Sequence, residues 1–174
     1  MTISGGEPLY QGKFVLNLLK RCKEKGFHTA IDTAGYAKWD VLNEVLEYTD
    51  LVLFDIKHLD SDRHREATGV GNELILENLA KIAKKDNGER IWIRMPVIPC
   101  YNDSEEHIKR LAVFLSDMPI EKVSLLGYHE WGKGKYTALG KDYPLDALSP
   151  LKEEKLYPLK AILESYRLEV TIGY

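Results

Sequence analysis

The sequence has 174 residues, which is enough for one domain with a hydrophobic core. Hydrophobic residues make up 44% of the chain and charged residues 29%, the balance of a soluble globular protein, and the net charge of -3 gives no reason to expect a nucleic-acid partner. No apolar run reaches the roughly eighteen residues of a membrane span, and no signal peptide is recognisable. With two isolated cysteines, Cys22 and Cys100, we expect a reducing, cytoplasmic location.

The apolar pattern alternates between short strand-like runs and longer runs with the spacing of one helix face. The strand-like runs lie at residues 2–4, 28–32, 51–56, 91–97, 123–126 and 169–172. The helical patterns lie at residues 14–25, 41–46, 76–83 and 108–115, and from Ser149-Pro150 onward. This alternation predicts a single α/β domain over residues 1–174, with a parallel sheet and right-handed crossovers.

Individual residues predict some of the boundaries. Asp103 followed by Glu106 resembles a capping box, which predicts a helix start there. Pro158 leaves two readings open, because it either kinks the last helix or begins a second piece of it. Residues 128–149 have no clear periodicity, and a loop that long in a compact domain is more often functional than idle.

Polar residues and glycines follow most of the predicted strands. They are Gly5-Gly6-Glu7, Asp32-Thr33, Asp55-Ile56-Lys57-His58 and Tyr128-His129-Glu130, with Arg94 inside the fourth strand. Because ligands bind at the C-terminal ends of parallel strands, we expect these groups to face one end of the sheet.

The acidic members of this set allow both a functional and a structural interpretation. Two glycines permit positive φ angles and close approach of a ligand, and Glu7 could then meet an ammonium group or stay solvated in a turn. Asp32 and Asp55 could hold a cation or ribose hydroxyls, or cap the helices that follow them.

The basic members are equally ambiguous when they are taken singly. Lys57 could pair with Asp55, meet a ligand carboxylate or lie on the surface. Arg94 needs a partner if it is buried, which indicates an anionic group on the inner face of the sheet. His129 could contact a ligand or be structural, and Cys100 reads as a structural thiol because no base is evident beside it.

Taken in order, these segments resemble a known family. The run Thr2-Ile3-Ser4-Gly5-Gly6-Glu7-Pro8-Leu9 is similar to the glycine motif of radical S-adenosylmethionine (SAM) enzymes. Four further segments resemble the activating enzymes of glycyl radical enzymes: Asp32-Thr33-Ala34-Gly35, Asp55-Ile56-Lys57, Trp92-Ile93-Arg94 leading to Pro99, and the run from Tyr128 to Gly140. The resemblance covers nearly the whole chain.

The resemblance implies a fold and a set of site residues. The fold is a partial parallel (β/α) barrel of the radical SAM type, lacking its first β/α unit. Binding of SAM is implied for Gly5, Gly6, Glu7, Asp55, Ile56, Lys57 and His129. A monovalent cation is implied at Asp32, Thr33 and Asp55, and a position inside the barrel near the cofactor is implied for Arg94.

The resemblance also implies a reaction and its partners. A reduced 4Fe–4S cluster cleaves SAM, and the resulting 5′-deoxyadenosyl radical removes a hydrogen atom from a glycine of the partner enzyme. The implied partner is a glycyl radical enzyme, pyruvate formate-lyase foremost. The implied electron donor is a reductant of the flavodoxin or ferredoxin type, and we expect a monomer working in anaerobic metabolism.

The sequence departs from the family at the cluster. The family's C-x3-C-x2-C motif is absent, and neither Cys22 nor Cys100 lies where it could replace it. We therefore expect this chain alone to be inactive, as a fragment of a longer enzyme. The alternatives are a shortened SAM-binding or regulatory module, a gene remnant, or a non-radical enzyme that binds a phosphorylated small molecule.

Overall fold

The computed structural model describes residues 1–86 and 90–173. The strands in this part of the chain are Thr2–Ile3 (β1), Ala30–Thr33 (β2), Leu51–Asp55 (β3), Ile91–Val97 (β4), Lys122–Gly127 (β5) and Val170–Ile172 (β6). The helices are Gly12–Glu24 (α1), Trp39–Leu46 (α2), Ser61–Thr68 (α3), Glu73–Asp86 (α4), Glu105–Ser116 (α5), Lys133–Ala138 (α6) and Tyr157–Ser165 (α7). Short 3-10 turns lie at Pro8–Gln11, Glu130–Gly132 and Glu153–Lys155.

The six strands form one open sheet in sequence order, and every neighbouring pair is parallel. Because all neighbouring strands are parallel, the C-terminal ends of all six strands lie at the same edge. This confirms the predicted parallel α/β partial barrel. None of the helices in the described residues is long and apolar enough to cross a membrane.

Strand β4 illustrates how the sequence separates the two faces of the sheet. Ile91, Ile93, Met95 and Val97 are fully buried and belong to the core that the helices cover. Trp92, Arg94 and Pro96 alternate with them and are only partly buried. Since side chains alternate across a strand, the partly buried set lines the inner face of the sheet, where the site lies.

The structure revises the predicted starts of two helices, α5 and α7. Helix α5 begins after Ser104, whose hydroxyl accepts the His107 N–H at 3.2 Å, and not at Asp103. Asp103 instead accepts the Cys100 N–H at 2.9 Å and closes the preceding turn. Pro158 lies in the first turn of α7 and so begins this helix. The helix start predicted at Ser149-Pro150 is wrong, because residues 149–152 are not helical and a short 3-10 turn precedes α7.

Two helices were not predicted at all. Helix α3 has only one buried residue, His64, so it carries no apolar stripe that periodicity could detect. Its ends are nevertheless well marked, because the Asp60 carboxylate accepts the N–H groups of Asp62 and Arg63 and Gly69 ends the helix in the left-handed conformation. Helix α6 lies within residues 128–149, where no periodicity was found.

A polar lock holds the sheet at the end opposite the site. The Asp50 carboxylate accepts the Thr29 N–H at 2.7 Å, the Thr29 hydroxyl at 3.0 Å and the Lys23 ammonium at 2.6 Å. The hydrogen bond from Lys23 is the main reason that the pKa of Asp50 is lowered from 3.8 to about 2, with the Thr29 bonds adding to it against the effect of burial. The lock joins α1, the start of β2 and the start of β3.

Replacing Asp50 by Asn should remove a pH-dependent part of the stability. The folded-state pKa lies below the unfolded one, so ionised Asp50 stabilises the fold fully above about pH 4, and the effect is lost as the pH falls toward 2. We expect Asp50→Asn to lower the free energy of unfolding by about 1–2 kcal/mol at pH 7 and by much less at pH 2.5.

Urea denaturation at the two pH values measures this difference. Asp142→Asn, which changes an exposed carboxylate, is the control and should shift the free energy of unfolding by less than about 0.5 kcal/mol at either pH. A loss for Asp50→Asn that is equal at both pH values would contradict the role assigned to the lock.

Candidate functional site

The C-terminal ends of β1 to β4 carry a row of polar and charged side chains on the inner face of the sheet. In spatial order they are Ser4, Asp32, Arg94, Asp55 and Lys57. They come from four different strands or the residues directly after them. The parallel order of the strands is what brings them together, as the sequence predicted.

Arg94 is the centre of this row. Its Nε and one terminal nitrogen donate to Asp55 Oδ1 at 3.0 and 2.8 Å, and the same terminal nitrogen donates to Asp32 Oδ1. The three side chains are only 14–21% exposed. Burial works to lower the pKa of Arg94, but the charges of Asp55 and Asp32 and their hydrogen bonds outweigh it and raise the pKa above its ordinary value. The anionic partners that a buried Arg94 requires are therefore these two aspartates.

The remaining oxygens of the two aspartates hold the ends of the row. The Ser4 hydroxyl donates to Asp32 Oδ2 at 2.7 Å. The Lys57 ammonium lies 3.4 Å from Asp55 Oδ2 and is about one-third exposed. Lys57 is thus weakly held on one side and open on the other, so its ammonium can donate to a ligand without leaving Asp55.

The Gly5-Gly6 turn presents bare backbone next to this row. Both residues have positive φ angles, +99° and +59°, and an added Cβ would meet no atom within 4 Å at either position. The turn therefore needs glycine for its conformation and leaves open space beside its peptide groups. This is the geometry that a backbone contact with a ligand requires.

Glu7 performs a structural task in the same turn. Its Oε1 accepts the Leu9 N–H at 3.1 Å and the Thr33 hydroxyl at 2.6 Å, and its Oε2 accepts the Ala34 N–H at 3.0 Å. The carboxylate thereby caps the 3-10 turn and ties the loop after β1 to the loop after β2. Its predicted contact with a ligand ammonium stays a prediction and would add to these hydrogen bonds.

The predicted cation site gains no support from the side-chain directions. Asp32 and Asp55 both face Arg94, whereas Thr33 is buried on the other face with its hydroxyl toward Glu7. Within the described residues, no group of three or more histidines, cysteines, aspartates or glutamates has the arrangement to hold a metal ion. Binding of a monovalent cation at Asp32, Thr33 and Asp55 stays a prediction.

A cavity of about 360 Å³ opens beside the charged row. It is lined by Asp55, Lys57, Arg94, Pro96, Ile98, Leu126, Gly127, Tyr128, His129, Gly132, Tyr143 and Leu145. Predicted site residues therefore share one cavity with apolar side chains that could hold a flat ring. A larger depression of about 790 Å³ lies between α5 and Leu59 and shares no lining residue with this cavity.

The remaining predicted site residues differ in whether their side chains reach the cavity. His129 lines the cavity, whereas the Ile56 side chain is 2% exposed and packs in the hydrophobic core. Only the backbone of Ile56 is thus available to a ligand. The side chains of Trp131 and Lys135, which belong to the last motif, lie outside the described part of the structure.

The sequence reasoning missed some of the cavity wall. Pro96 and Ile98 follow Arg94 at intervals of two, so the strand period was a usable signal for them. Tyr143 and Leu145 come from the aperiodic stretch and gave no local signal. The Tyr128 hydroxyl lies 3.2 Å from the Tyr143 hydroxyl and 3.3 Å from the Leu145 carbonyl, and burial, with the Tyr143 bond, raises the pKa of Tyr128 to about 12.

The two cysteines do not form a site for an iron–sulfur cluster. Cys22 is buried on α1, and Cys100 is exposed in the loop between β4 and α5. Both thiols are free, and they lie on different elements, whereas a 4Fe–4S cluster takes at least three cysteine ligands. The residues present in this chain do not fit the cluster.

Comparison with known proteins agrees with the fold and the motifs. The model of the radical SAM superfamily matches residues 1–112. The solved structure of a domain of pyruvate-formate lyase-activating enzyme from Bacteroides vulgatus ATCC 8482 is 35% identical with a TM-score of 0.83, and the match covers 100% of this chain and 98% of that one. The chain belongs to the radical SAM superfamily and, within it, to the family of glycyl radical enzyme activating enzymes.

Curated relatives include several activating enzymes of this family. Pyruvate formate-lyase 1-activating enzyme of Escherichia coli (strain K12) is 41% identical over 95% of this chain and 68% of its own length. Choline trimethylamine-lyase activating enzyme of Oleidesulfovibrio alaskensis is 40% identical over 99% of this chain and 56% of its own length. The chain thus spans between about half and two thirds of the curated relatives it matches.

Removing the Arg94 charge should destabilise the sheet through the carboxylates that it leaves behind. Arg94→Met places two partly buried aspartates side by side with no counter-ion between them, and we expect the free energy of unfolding to fall by about 2–3 kcal/mol. Combining it with Asp32→Asn and Asp55→Asn should recover most of that loss, because the buried charges are then gone.

Denaturant unfolding at pH 7 measures both effects. Arg65→Met is the matched control, since Arg65 pairs with Asp62 and Glu73 on the surface, and its loss should stay below about 1 kcal/mol. If the triple variant is no more stable than Arg94→Met alone, uncompensated charge is not the cause of the loss.

Proposed function

We propose that this chain binds SAM in the cavity beside the charged row. We further propose that it forms the SAM-binding part of an enzyme that activates a glycyl radical enzyme. The observation that carries the proposal is the meeting of three features at one sheet edge. They are the bare Gly5-Gly6 turn, the Lys57 ammonium held only at 3.4 Å by Asp55, and a 360 Å³ cavity lined by both charged and apolar groups.

The chain's own residues can divide the recognition of SAM among them. The open backbone at Gly5 and Gly6 accepts hydrogen bonds from the ammonium group of SAM, and the Lys57 ammonium donates to the carboxylate or the ribose of SAM. Asp55 is fixed by Arg94 and keeps Lys57 at the cavity mouth, while His129, Pro96 and Ile98 border the space left for the rest of the ligand. When bound, SAM supplies the group that removes a hydrogen atom from the target.

The target and the other partners are part of the same proposal. Relatives that match over 95% or more of this chain are named as activating enzymes of pyruvate formate-lyase and choline trimethylamine-lyase. Pyruvate formate-lyase is the proposed target, because its activating enzymes are the relatives at 41% identity. A flavodoxin- or ferredoxin-type reductant, a cytoplasmic location and a monomeric state complete the proposal.

The cysteine arrangement favours a second, narrower function for the chain by itself. With two thiols on separate elements, the chain is suited to bind SAM without cleaving it. The two candidates differ in what the chain alone can do, and each has a direct test.

Titration calorimetry with SAM tests the binding site. Lys57→Met should raise the Kd for SAM about tenfold, the loss of one charge-assisted hydrogen bond. Lys109→Met is the matched control, because Lys109 makes an exposed ion pair with Glu105 on α5, and it should leave the Kd unchanged. If wild type binds no SAM, the proposed function fails, and if Lys57→Met binds like wild type, the assignment of Lys57 fails.

Anaerobic reconstitution with iron and sulfide tests the second candidate. We expect the chain to take up no 4Fe–4S cluster, judged by visible absorption and by iron and sulfide content, because its thiols do not converge. If iron is taken up and both thiols are its ligands, Cys22→Ser and Cys100→Ser should each reduce the iron content to the same extent. A stable cluster in wild type, or SAM cleavage with a reductant, would refute the idea that the chain acts by binding alone.

A further inference from the structure

The segment that carries Lys57 leaves the sheet just before this residue. Ile56 N–H still donates to the Arg94 carbonyl at 2.9 Å, as expected of a parallel neighbour. The Lys57 carbonyl, in contrast, accepts a hydrogen bond from a side chain, that of Asn102. What sets the position of Lys57 is therefore a contact outside the sheet.

Asn102 is fully buried in the loop between β4 and α5, and its side-chain amide makes three hydrogen bonds. Its Nδ2 donates to the Lys57 carbonyl and to the Pro96 carbonyl, both at 2.8 Å. Its Oδ1 accepts the Ile98 N–H at 2.7 Å. The accepted N–H fixes which end of the amide is oxygen, so both amide hydrogens point at carbonyls.

These three bonds join both sides of the cavity mouth. Pro96 and Ile98 line the cavity from β4 and the loop after it, and Lys57 lines it from the end of β3. A single buried amide thus fixes the distance between the ammonium-bearing residue and the apolar wall. Burial of the Asn102 amide makes the arrangement stiff, because its own polar atoms have no water to replace these partners.

The residue after Lys57 is held in a similar way. The His58 carbonyl accepts from Nδ2 of the buried Asn72 at 2.7 Å. The His58 ring packs 4.3 Å from the His107 ring and 5.0 Å from the Tyr101 ring, centroid to centroid. Burial lowers the pKa of His58, and burial together with the charge of His58 lowers the pKa of His107 to about 4.

We infer that Asn102 is a positioning residue for the SAM site. It acts by clamping the Lys57 backbone to β4, so that the Lys57 ammonium stays at the cavity mouth beside Asp55. The inference rests on the proposed function, since it assigns Asn102 a role only through Lys57 and the ligand that Lys57 binds.

The test combines two substitutions in a double-mutant cycle read by calorimetry with SAM. Asn102→Asp keeps the acceptor for the Ile98 N–H and removes the donors to the Lys57 and Pro96 carbonyls. We expect it to raise the Kd about tenfold, and we expect Lys57→Met to raise the Kd about tenfold in wild type but less than twofold in the Asn102→Asp background. Asn102→Ala, which adds no charge, should give the same coupling.

Asn78 offers a matched control in the same chain. It is also fully buried, and its Nδ2 donates to two carbonyls, those of Gly35 and Ala37, at 2.8 Å each. Asn78→Asp should destabilise the fold comparably but leave the effect of Lys57→Met on the Kd at about tenfold. This comparison separates a positioning role from general loss of stability.

Hydrogen exchange of the free protein provides a readout that needs no ligand. The amides of residues 57–60 should exchange about tenfold faster in Asn102→Asp and at the wild-type rate in Asn78→Asp. Unchanged exchange there, or Kd effects of Asn102→Asp and Lys57→Met that simply multiply, would overturn the inference while leaving SAM binding intact. If wild type binds no SAM, the proposed function fails first and the role of Asn102 in binding fails with it.

Discussion

The guanidinium of Arg94 between two aspartates is the interaction on which the site depends. A charged side chain on the inner face of a sheet is tolerated only when its partners satisfy it, because a buried charge without a partner destabilises the fold. Asp32 and Asp55 come from the two strands that precede β4 in the sheet, so one side chain joins the ends of three neighbouring strands. Removing any member leaves the others unbalanced.

The row also determines what remains free for a ligand. Each aspartate uses one oxygen for Arg94 and has one left, which Asp32 gives to Ser4 and Asp55 gives to Lys57. The 2.7 Å bond to Ser4 is tight, whereas the 3.4 Å contact of Lys57 is long. The charged group with unused hydrogen-bonding capacity is therefore the one at the cavity mouth, and this follows from how the other charges are neutralised.

Around the row, the loops are tied to one another by groups that do not face the cavity. Glu7 joins the loop after β1 to the loop after β2, and Asn102 joins the end of β3 to the end of β4. Both do so through side chains that reach backbone groups no longer paired in the sheet. The strand ends are thus held in register beyond the last ladder bonds, where a site needs rigidity and the sheet no longer supplies it.

The sequence by itself determined the architecture, and it predicted which residues lie together at one end of the sheet. The apolar runs located all six strands, because a strand covered on its faces must be apolar, and the ordered motifs marked Gly5, Gly6, Asp55, Lys57 and His129. Periodicity found the helices that bury an apolar stripe, and it missed α3 and α6, which bury little.

Only the tertiary structure decided which distant residues interact with each other. Arg94 lies 62 residues from Asp32 and 39 from Asp55, Glu7 lies 27 residues from Ala34, and Asn102 lies 45 residues from Lys57. Local patterns report which face of an element a residue occupies, but not which distant group meets it there. For that reason Glu7 could be read from the sequence as a free carboxylate, and Asn102, whose three bonds fix the cavity mouth, gave no signal at all.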